Sequence, residues 1–279
     1  MATPKEELKR KLPGVVDIAY EQYKGNLSRY RMAKELMSKD VVTINPEALL
    51  DDAAIIMGQK HIGSLIVEKY HTPVGIVTER DLLSKVLALD RNLRDEKVEN
   101  VMSYPLDGVS ITATIKEAAQ LMTSKKGRLA VFNAGTLVGI ITASDLIKSL
   151  PDVPETEVKV DNFMTKNIVT ADEKTPVISI ASLMGRHRIG SVIITCEGDP
   201  FGIFTERDLL TTFLARCKAL YEEVGKDCSS PLINISAGAS VHKAAATMAL
   251  KHIRRLPIVK DGKLVGIITA RDLVEAYAK

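Results

Sequence analysis

The sequence has few of the residues and segments that several classes of protein need. It has no tryptophan, and aromatic residues make up only 4% of its 279 residues, so we do not expect aromatic platforms for single-stranded nucleic acid. No apolar stretch approaches the roughly 18 residues of a membrane-spanning helix, and residues 1–10 lack the apolar core of a secretion signal. The formal net charge is only +3, which is small for a nucleic-acid-binding protein. These absences predict a soluble protein without a membrane or nucleic-acid partner.

Cysteine and histidine are also sparse, and their spacing matters more than their number. The three cysteines, Cys196, Cys217 and Cys228, form no CxxC pair, which fits a reducing cytoplasm better than a disulfide framework. No histidine lies at metal-ligand spacing from a cysteine or another histidine. The chain has neither a GxxxxGK[ST] loop nor an HExxH motif. We therefore predict a cytoplasmic protein with no metal, no catalytic cofactor and no enzymatic activity.

The small positive charge is concentrated at the N-terminus. Residues 1–34 contain eight basic and four acidic residues, so the rest of the chain has a net charge of −1. We predict a basic helical segment over 1–30, which either packs against the rest of the chain or contacts a partner.

The most informative feature is a fourfold internal repeat, since periodicity decides the fold before any local pattern does. Four segments share the motif Gly-Ile-x-Thr-x-x-Asp, and their glycines are 64, 63 and 64 residues apart. A series of methionines lies upstream of these motifs at near-constant spacing, and a second series stands 20 residues before it. The three series are Gly75, Gly139, Gly202 and Gly266; Met57, Met122, Met184 and Met248; and Met37, Met102, Met164 and Cys228.

Odd and even copies differ. Copies one and three have Thr-Glu-Arg-Asp and an Ile-Gly-Ser segment, whereas copies two and four have Thr-Ala-x-Asp and replace that serine with Arg128 or Arg255. The motif threonines of like copies are 127 residues apart. The ancestral unit is therefore a pair of unlike copies that was duplicated once.

The hydrophobic pattern predicts the same elements in each copy: strand, helix, strand, strand and helix. The fold class is therefore α/β (α+β), with a three-stranded sheet and two helices in each repeat. We assign the repeats to residues 31–90, 95–150, 158–217 and 222–279. A sheet with one exposed apolar face must be covered, so the copies are expected to pair.

The four motifs, each with a hydrophobic strand before it, strongly resemble the CBS-domain family, which is named for cystathionine β-synthase. The resemblance runs from about Lys34 to the C-terminus and implies two tandem pairs, called Bateman modules, at 31–150 and 158–279. The layout is similar to that of archaeal stand-alone CBS proteins with four repeats and to the gamma subunit of AMP-activated protein kinase. Residues 1–30 lie outside the resemblance.

The Thr-x-x-Asp motif can bind a nucleotide. It stands where a strand meets a helix, and the positive end of the helix dipole favours phosphate there. A threonine hydroxyl can donate to phosphate, and a carboxylate can accept from both hydroxyls of a ribose. The resemblance implies these roles for Thr78, Asp81, Thr142, Asp145, Thr205, Asp208, Thr269 and Asp272. The alternative is that the same residues only cap a helix, which contributes about 1 kcal/mol without any ligand.

The resemblance also implies residues for the phosphates and the base. Phosphate contacts are assigned to Arg128, Arg254, Arg255, Arg188 and Arg271, whose alternative is a solvated surface position. Base contacts are assigned to Val41 and Ile168, whose alternative is the core. Copies two and four differ here, because a proline precedes the corresponding leucines, Leu106 and Leu232.

The resemblance implies a regulatory protein that senses AMP, ADP or ATP and modulates a separate, unidentified protein partner, with a homodimer as a further possibility. Two alternatives remain open. In the first alternative, the ligand is S-adenosylmethionine or a dinucleotide. In the second, the chain is a scaffold or nucleic-acid-associated protein with vestigial pockets, and binding then weakens steeply with salt.

Overall fold

The computed structural model describes residues 32–124, 127–148 and 158–279. The helical segment predicted over 1–30 lies outside these residues. The described chain contains four separate three-stranded sheets, one in each repeat. In every sheet the first strand pairs in parallel with the second, and the second pairs antiparallel with the third. The predicted fold class and order of elements are therefore confirmed.

The elements follow one another in the same order in each repeat. Repeat one follows a short helix, α1 (Ala33–Leu36), and contains β1 (Thr43–Ile44), α2 (Leu50–Gln59), β2 (Ser64–Lys69), β3 (Thr72–Thr78) and α3 (Glu79–Lys85). Repeat two follows α4 (Val98–Val101) and contains β4 (Gly108–Ser110), α5 (Ile115–Ser124), β5 (Arg128–Asn133), β6 (Thr136–Thr142) and α6 (Ala143–Ile147).

Repeats three and four are each preceded by a 3₁₀ turn, Val160–Asn162 and Val224–Lys226. Repeat three contains β7 (Thr170–Asp172), α7 (Val177–His187), β8 (Ser191–Cys196), β9 (Asp199–Thr205) and α8 (Glu206–Asp208), which continues as a π-helical turn over Leu209–Phe213. Repeat four contains β10 (Ile235–Ser236), α9 (Val241–Lys251), β11 (Arg255–Lys260), β12 (Lys263–Thr269) and α10 (Ala270–Ala278).

The first long helix of each repeat forms because its apolar residues recur at helical spacing. In α5, Ile115, Ala118, Ala119 and Met122 are buried, and they lie on one face because they are three or four residues apart. The methionines at the equivalent position of all four helices are at most 1% exposed. They are core residues.

The four repeats form two compact units, and each unit joins two like repeats. The odd unit contains repeats one and three, over 40–107 and 167–233. The even unit contains repeats two and four, with described residues 32–39, 108–124, 127–148, 158–166 and 234–279. Each unit has its own hydrophobic core, to which both of its repeats contribute. The tandem modules 31–150 and 158–279 would each take one repeat from each unit, and they stay a prediction.

The odd unit is held together by close helix contacts at two glycines. A Cβ atom on Gly58 of repeat one would lie 2.1 Å from the Cβ of Ala215, and one on Gly185 of repeat three would lie 2.2 Å from that of Ala88. Both distances are far below a normal contact, so only glycine permits this approach. In the even repeats the equivalent helix positions are Thr123 and Ala249.

In each sheet, the third strand also pairs at one residue with the segment that precedes the first strand of another repeat. We call this the lead-in segment. Ser38, which precedes β1 of repeat one, exchanges two backbone hydrogen bonds of 2.9 and 3.0 Å with Ile140 in repeat two. Ser103, which precedes β4 of repeat two, exchanges bonds of 2.8 and 3.0 Å with Ile76 in repeat one. The same exchange links Thr165 with Ile267 and Ser229 with Ile203.

The lead-in segments explain why the motif glycines and the series Met37, Met102, Met164 and Cys228 recur together. A Cβ on Gly139 would lie 2.6 Å from the sulfur of Met37, and one on Gly266 would lie 2.4 Å from the sulfur of Met164. The motif glycine therefore makes room for the methionine of a lead-in segment. Cys228 takes this place against Gly202.

Candidate functional site

Four strand-to-helix corners carry the candidate ligand residues. We number them by repeat and define each as the motif threonine, the next two residues and the motif aspartate: 78–81, 142–145, 205–208 and 269–272. In every corner the threonine ends the third strand and is the N-cap of the helix, with an extended backbone. The sequence therefore places the same four side-chain positions at the same structural junction four times.

Each corner is closed by a capping box. The threonine backbone N–H donates to Oδ2 of the aspartate at 2.7–3.0 Å, and the threonine hydroxyl donates to the same oxygen at 2.6–2.8 Å. The helix-cap alternative is therefore realised in all four repeats. Capping does not exclude a ligand, but it occupies Oδ2, so a ribose hydroxyl would have to donate to Oδ1.

Part of the first helical turn is also occupied. In repeat one the N–H of Glu79 donates to the carbonyl of Gly63 at 3.2 Å, and the N–H of Asp81 donates to the hydroxyl of Thr78 at 3.3 Å. Ala270 in repeat four donates to the carbonyl of Arg254 at 2.9 Å. The helix start alone therefore offers a phosphate fewer donors than the sequence motif suggests, and side-chain cations become more important.

The remaining oxygen, Oδ1, differs from corner to corner. Asp81 is 5% exposed, and its Oδ1 lies 2.8 Å from the ammonium of Lys85. In corner two the ammonium of Lys148 lies 3.5 Å from Oδ1 of Asp145. Among the described residues, Oδ1 of Asp272 has no hydrogen-bond or ion-pair partner. Corner four is thus the most open to a sugar hydroxyl and corner one is the most closed.

Burial also changes the electrostatics of corner four. Desolvation raises the pKa of Asp272 above its ordinary value of 3.8, although the hydrogen bonds from Thr269 act in the opposite direction. A partly desolvated carboxylate gains more from each new hydrogen bond than an exposed one does, because less water competes for it.

The residue opposite each motif threonine separates odd from even corners. Arg128 pairs with Thr142 and Arg255 pairs with Thr269 across adjacent antiparallel strands. Residues directly opposite on such strands point to the same face, with Cβ atoms about 4.5–5.5 Å apart. The register therefore brings a guanidinium-bearing residue to the threonine and aspartate at corners two and four. At corners one and three the opposite residues are serines, Ser64 and Ser191.

The motif arginines of the odd unit bind protein groups. Nε of Arg80 donates to Oε1 of Glu206 at 2.8 Å, and its second nitrogen lies 3.4 Å from Oε2. Burial opposes the charge of Arg80, but the attraction and hydrogen bond of Glu206 still raise its pKa. Arg207 donates to the carbonyl of His61 at 2.9 Å. These contacts cross from one repeat to the other within the odd unit.

The equivalent positions of the even unit carry different residues. Arg271 donates to the carbonyl of Thr123 at 3.4 Å and is exposed, and Ser144 replaces the arginine in corner two. Glu79 and Glu206, each 5% exposed, are replaced by Ala143 and Ala270. The sequence shows this alternation, but it does not reveal that Arg80 and Glu206 meet. Lys85 could have been found from its position four residues after Asp81, where helical side chains are neighbours.

Arg188 does not join corner three through the strand register. It lies exposed at the C-terminal end of α7, and the position opposite Thr205 is taken by Ser191. Its neighbours Arg186 and His187 line an open groove of about 420 Å³ along α7 with Asp90. This groove is lined by none of the corner residues.

The predicted base contacts are half-buried residues beside the first strands. Val41 and Ile168 are partly exposed, whereas the next residues, Val42 and Val169, pack against the core of the odd unit. The carbonyls of Val42 and Val169 accept hydrogen bonds from the second strands. Both candidates belong to the odd unit, as do Leu106 and Leu232, the corresponding residues of repeats two and four.

Within 32–124, 127–148 and 158–279, no group of three or more His, Cys, Asp or Glu side chains could hold a metal ion. No helix in this part of the chain has the length and apolar character needed to cross a membrane.

A scan against family models matches four CBS domains, at residues 33–88, 98–152, 160–215 and 222–279. A related sequence is the uncharacterized protein MJ1404 of Methanocaldococcus jannaschii, which is 31% identical over 269 residues covering 88% of this chain. The chain spans only 61% of that protein, and 62% of the uncharacterized protein MK0525 of Methanopyrus kandleri.

Two solved structures show the same fold over most of the chain. Protein MJ1225 from Methanocaldococcus jannaschii, described as a candidate archaeal homolog of g-AMPK, is 22% identical, with a TM-score of 0.74. The alignment covers 88% of this chain and all of that one (100%). An uncharacterized conserved protein from Pyrococcus horikoshii is 22% identical, with a TM-score of 0.61, and the alignment covers 88% and 99% of the two chains.

Proposed function

Because the chain belongs to the CBS-domain family, we propose that it is a regulatory protein that binds AMP, ADP or ATP at its Thr-x-x-Asp corners. The observation that carries this proposal is the register of the even repeats, which places Arg128 and Arg255 opposite the motif threonines. A ribose hydroxyl would donate to the aspartate Oδ1, and the phosphates would lie at the arginine. The nucleotide is a regulatory ligand in this proposal and is not turned over.

We propose that nucleotide binding changes the activity of a separate protein partner in the cytoplasm. The chain can act as a homodimer in this proposal. Nucleic acid and membranes are not proposed partners. A ligand at about 100 times its dissociation constant stabilises a fold by about 2.7 kcal/mol, so occupancy can change the population of a state that a partner recognises. The similarity to MJ1225 supports the fold of such a sensor.

Calorimetric titration of the full chain tests the proposal. AMP, ADP or ATP should bind, and adenine, which lacks ribose and phosphate, should not. Asp272→Ala should lower the number of bound nucleotides by one, because it removes the open Oδ1 of corner four.

Ser240→Ala is the matched control for the loss of a helix cap. Ser240 caps α9 of the same repeat by accepting from the N–H of Lys243 at 3.1 Å, and it has no role in the corner. It should cost about 1 kcal/mol of stability and leave nucleotide binding intact. The proposal is wrong if none of the three nucleotides binds, or if Ala at each of the four motif aspartates leaves binding unchanged.

A further inference from the structure

The two kinds of corner differ at two positions that decide their charge. One is the residue opposite the threonine, which is serine in odd repeats and arginine in even repeats. The other is the residue after the threonine, which is glutamate in odd repeats and alanine in even repeats. For the four motif residues and the opposite residue together, the formal charge is −1 at corners one and three, 0 at corner two and +1 at corner four.

The odd corners hold their negative charge out of water. Glu79 and Glu206 are each 5% exposed, so solvent screens their carboxylates poorly. Arg80 cannot neutralise the negative charge of a ligand phosphate unless it leaves Glu206, to which it donates a hydrogen bond at 2.8 Å. If Arg80 turned towards a ligand, the buried carboxylate of Glu206 would lose its partner, so the pair stays closed when a weak ligand arrives.

The sugar position is also less accessible in corner one. A ribose hydroxyl there would compete with Lys85 for Oδ1 of Asp81. In corner four Oδ1 of Asp272 meets no such competitor among the described residues. Accessibility and charge therefore both favour corner four over corner one.

We propose that the residue after the motif threonine, together with the residue opposite it, determines which corners accept phosphate. Corners four and two bind the nucleoside diphosphate or triphosphate, and corners one and three exclude it. This inference rests on the proposed function and adds to it the ligand class of each corner. Glu79, Ala143, Glu206 and Ala270 are specificity-determining residues.

Ala143→Glu tests the proposal at corner two, where residue 143 is only half-buried and a larger side chain can be accommodated. A carboxylate about 8 Å from one phosphate charge, at an effective dielectric constant of about 20, lowers affinity about thirtyfold. Calorimetry of the full chain with ADP should show this loss at one site. Ala143→Gln has nearly the same size without the charge, and it should bind ADP as the unmodified protein does.

Arg255→Ser provides an independent test at corner four that introduces no bulk. It creates the serine of an odd corner, and ADP affinity at one site should fall while adenosine binding is retained. A purely structural role of Arg255 would weaken both ligands equally.

The proposal and the proposed function fail in different ways. Absence of any ADP binding by the unmodified chain overturns the proposed function itself. If ADP binds but Asp81→Ala or Asp208→Ala removes a site, the odd corners accept phosphate and the assignment of corners is wrong. Equal losses from Ala143→Glu and Ala143→Gln, or parallel losses of ADP and adenosine in Arg255→Ser, also overturn it.

Discussion

The odd and even units are made from the same repeat, yet they use their charged motif residues differently. In the odd unit, Arg80 and Arg207 bind groups of the other repeat, and the buried Glu206 accepts from Arg80. In the even unit, alanine replaces the glutamates and an arginine stands opposite each motif threonine. The difference teaches that the same motif can join two repeats in one unit and can stand beside an arginine of the neighbouring strand in the other. The helix cap is the part that both uses share.

Breaking the cross-repeat ion pair should have the largest effect on stability. Arg80→Ala leaves the carboxylate of Glu206 buried without its partner. Because half of the Arg80 side chain is exposed, we expect a loss of roughly 2 kcal/mol, below the 3–5 kcal/mol of a fully buried pair. Urea denaturation measures it. Arg271→Ala, the exposed even counterpart, should change stability by at most about 0.5 kcal/mol, and equal losses in the two variants would contradict the comparison.

Filling the glycine contact should have an intermediate effect. Gly185→Ala places a Cβ 2.2 Å from that of Ala88, which forces the helices of the odd unit apart. Overpacking costs about 1–3 kcal/mol, and the better helix propensity of alanine returns about 1 kcal/mol. We expect the free energy of unfolding, measured by urea denaturation, to fall by about 1 kcal/mol. Ala249→Gly, the reverse change at the equivalent even position, should cost about 1 kcal/mol through propensity alone. A stabilised Gly185→Ala protein would show that this contact is loose.

Titration of Asp272 should have the smallest effect. Burial raises its pKa above 3.8, so the folded protein holds this proton more tightly than the unfolded chain does. Its contribution to stability is therefore complete below the unfolded pKa and is lost as pH rises through the folded pKa. Asp272→Asn should remove this slope, and melting temperatures of both proteins between acidic and neutral pH compare them. An unchanged slope would show that Asp272 is not desolvated.

The fold could be read from the sequence because each repeat carries its own local signals. The motif glycine, threonine and aspartate mark a strand end and a helix start, and the buried methionines mark the core face of the preceding helix. Which copies share a core could not be read, because equal spacing gives no information about contacts between distant segments. The contact of Met37 with Gly139 is of this kind, since about a hundred residues separate them.

The sequence was sufficient to predict the helix caps of the candidate site, but it was less informative about the partners of the charged residues. The family resemblance points to Arg128 and Arg255, and the structure shows that each begins a strand whose partner ends at the motif threonine. Arg188 is close along the chain to the strand that faces Thr205, but two residues separate it from Ser191, which holds the register position opposite Thr205. The role of Glu206 depends on a partner 126 residues away, and no local pattern encodes that distance.

The reciprocal exchange of lead-in segments has a consequence for how such a chain can grow or shrink. Deleting repeat two together with its lead-in segment would remove Ser103, the pairing partner of Ile76. Residues 32–39 would then have no sheet to pair with, because Ile140 would be lost as well. A bare edge of this kind invites aggregation. Gene rearrangements that add or remove repeats in tandem pairs, one with two or three with four, therefore keep these edges covered, and those that add or remove a single repeat do not.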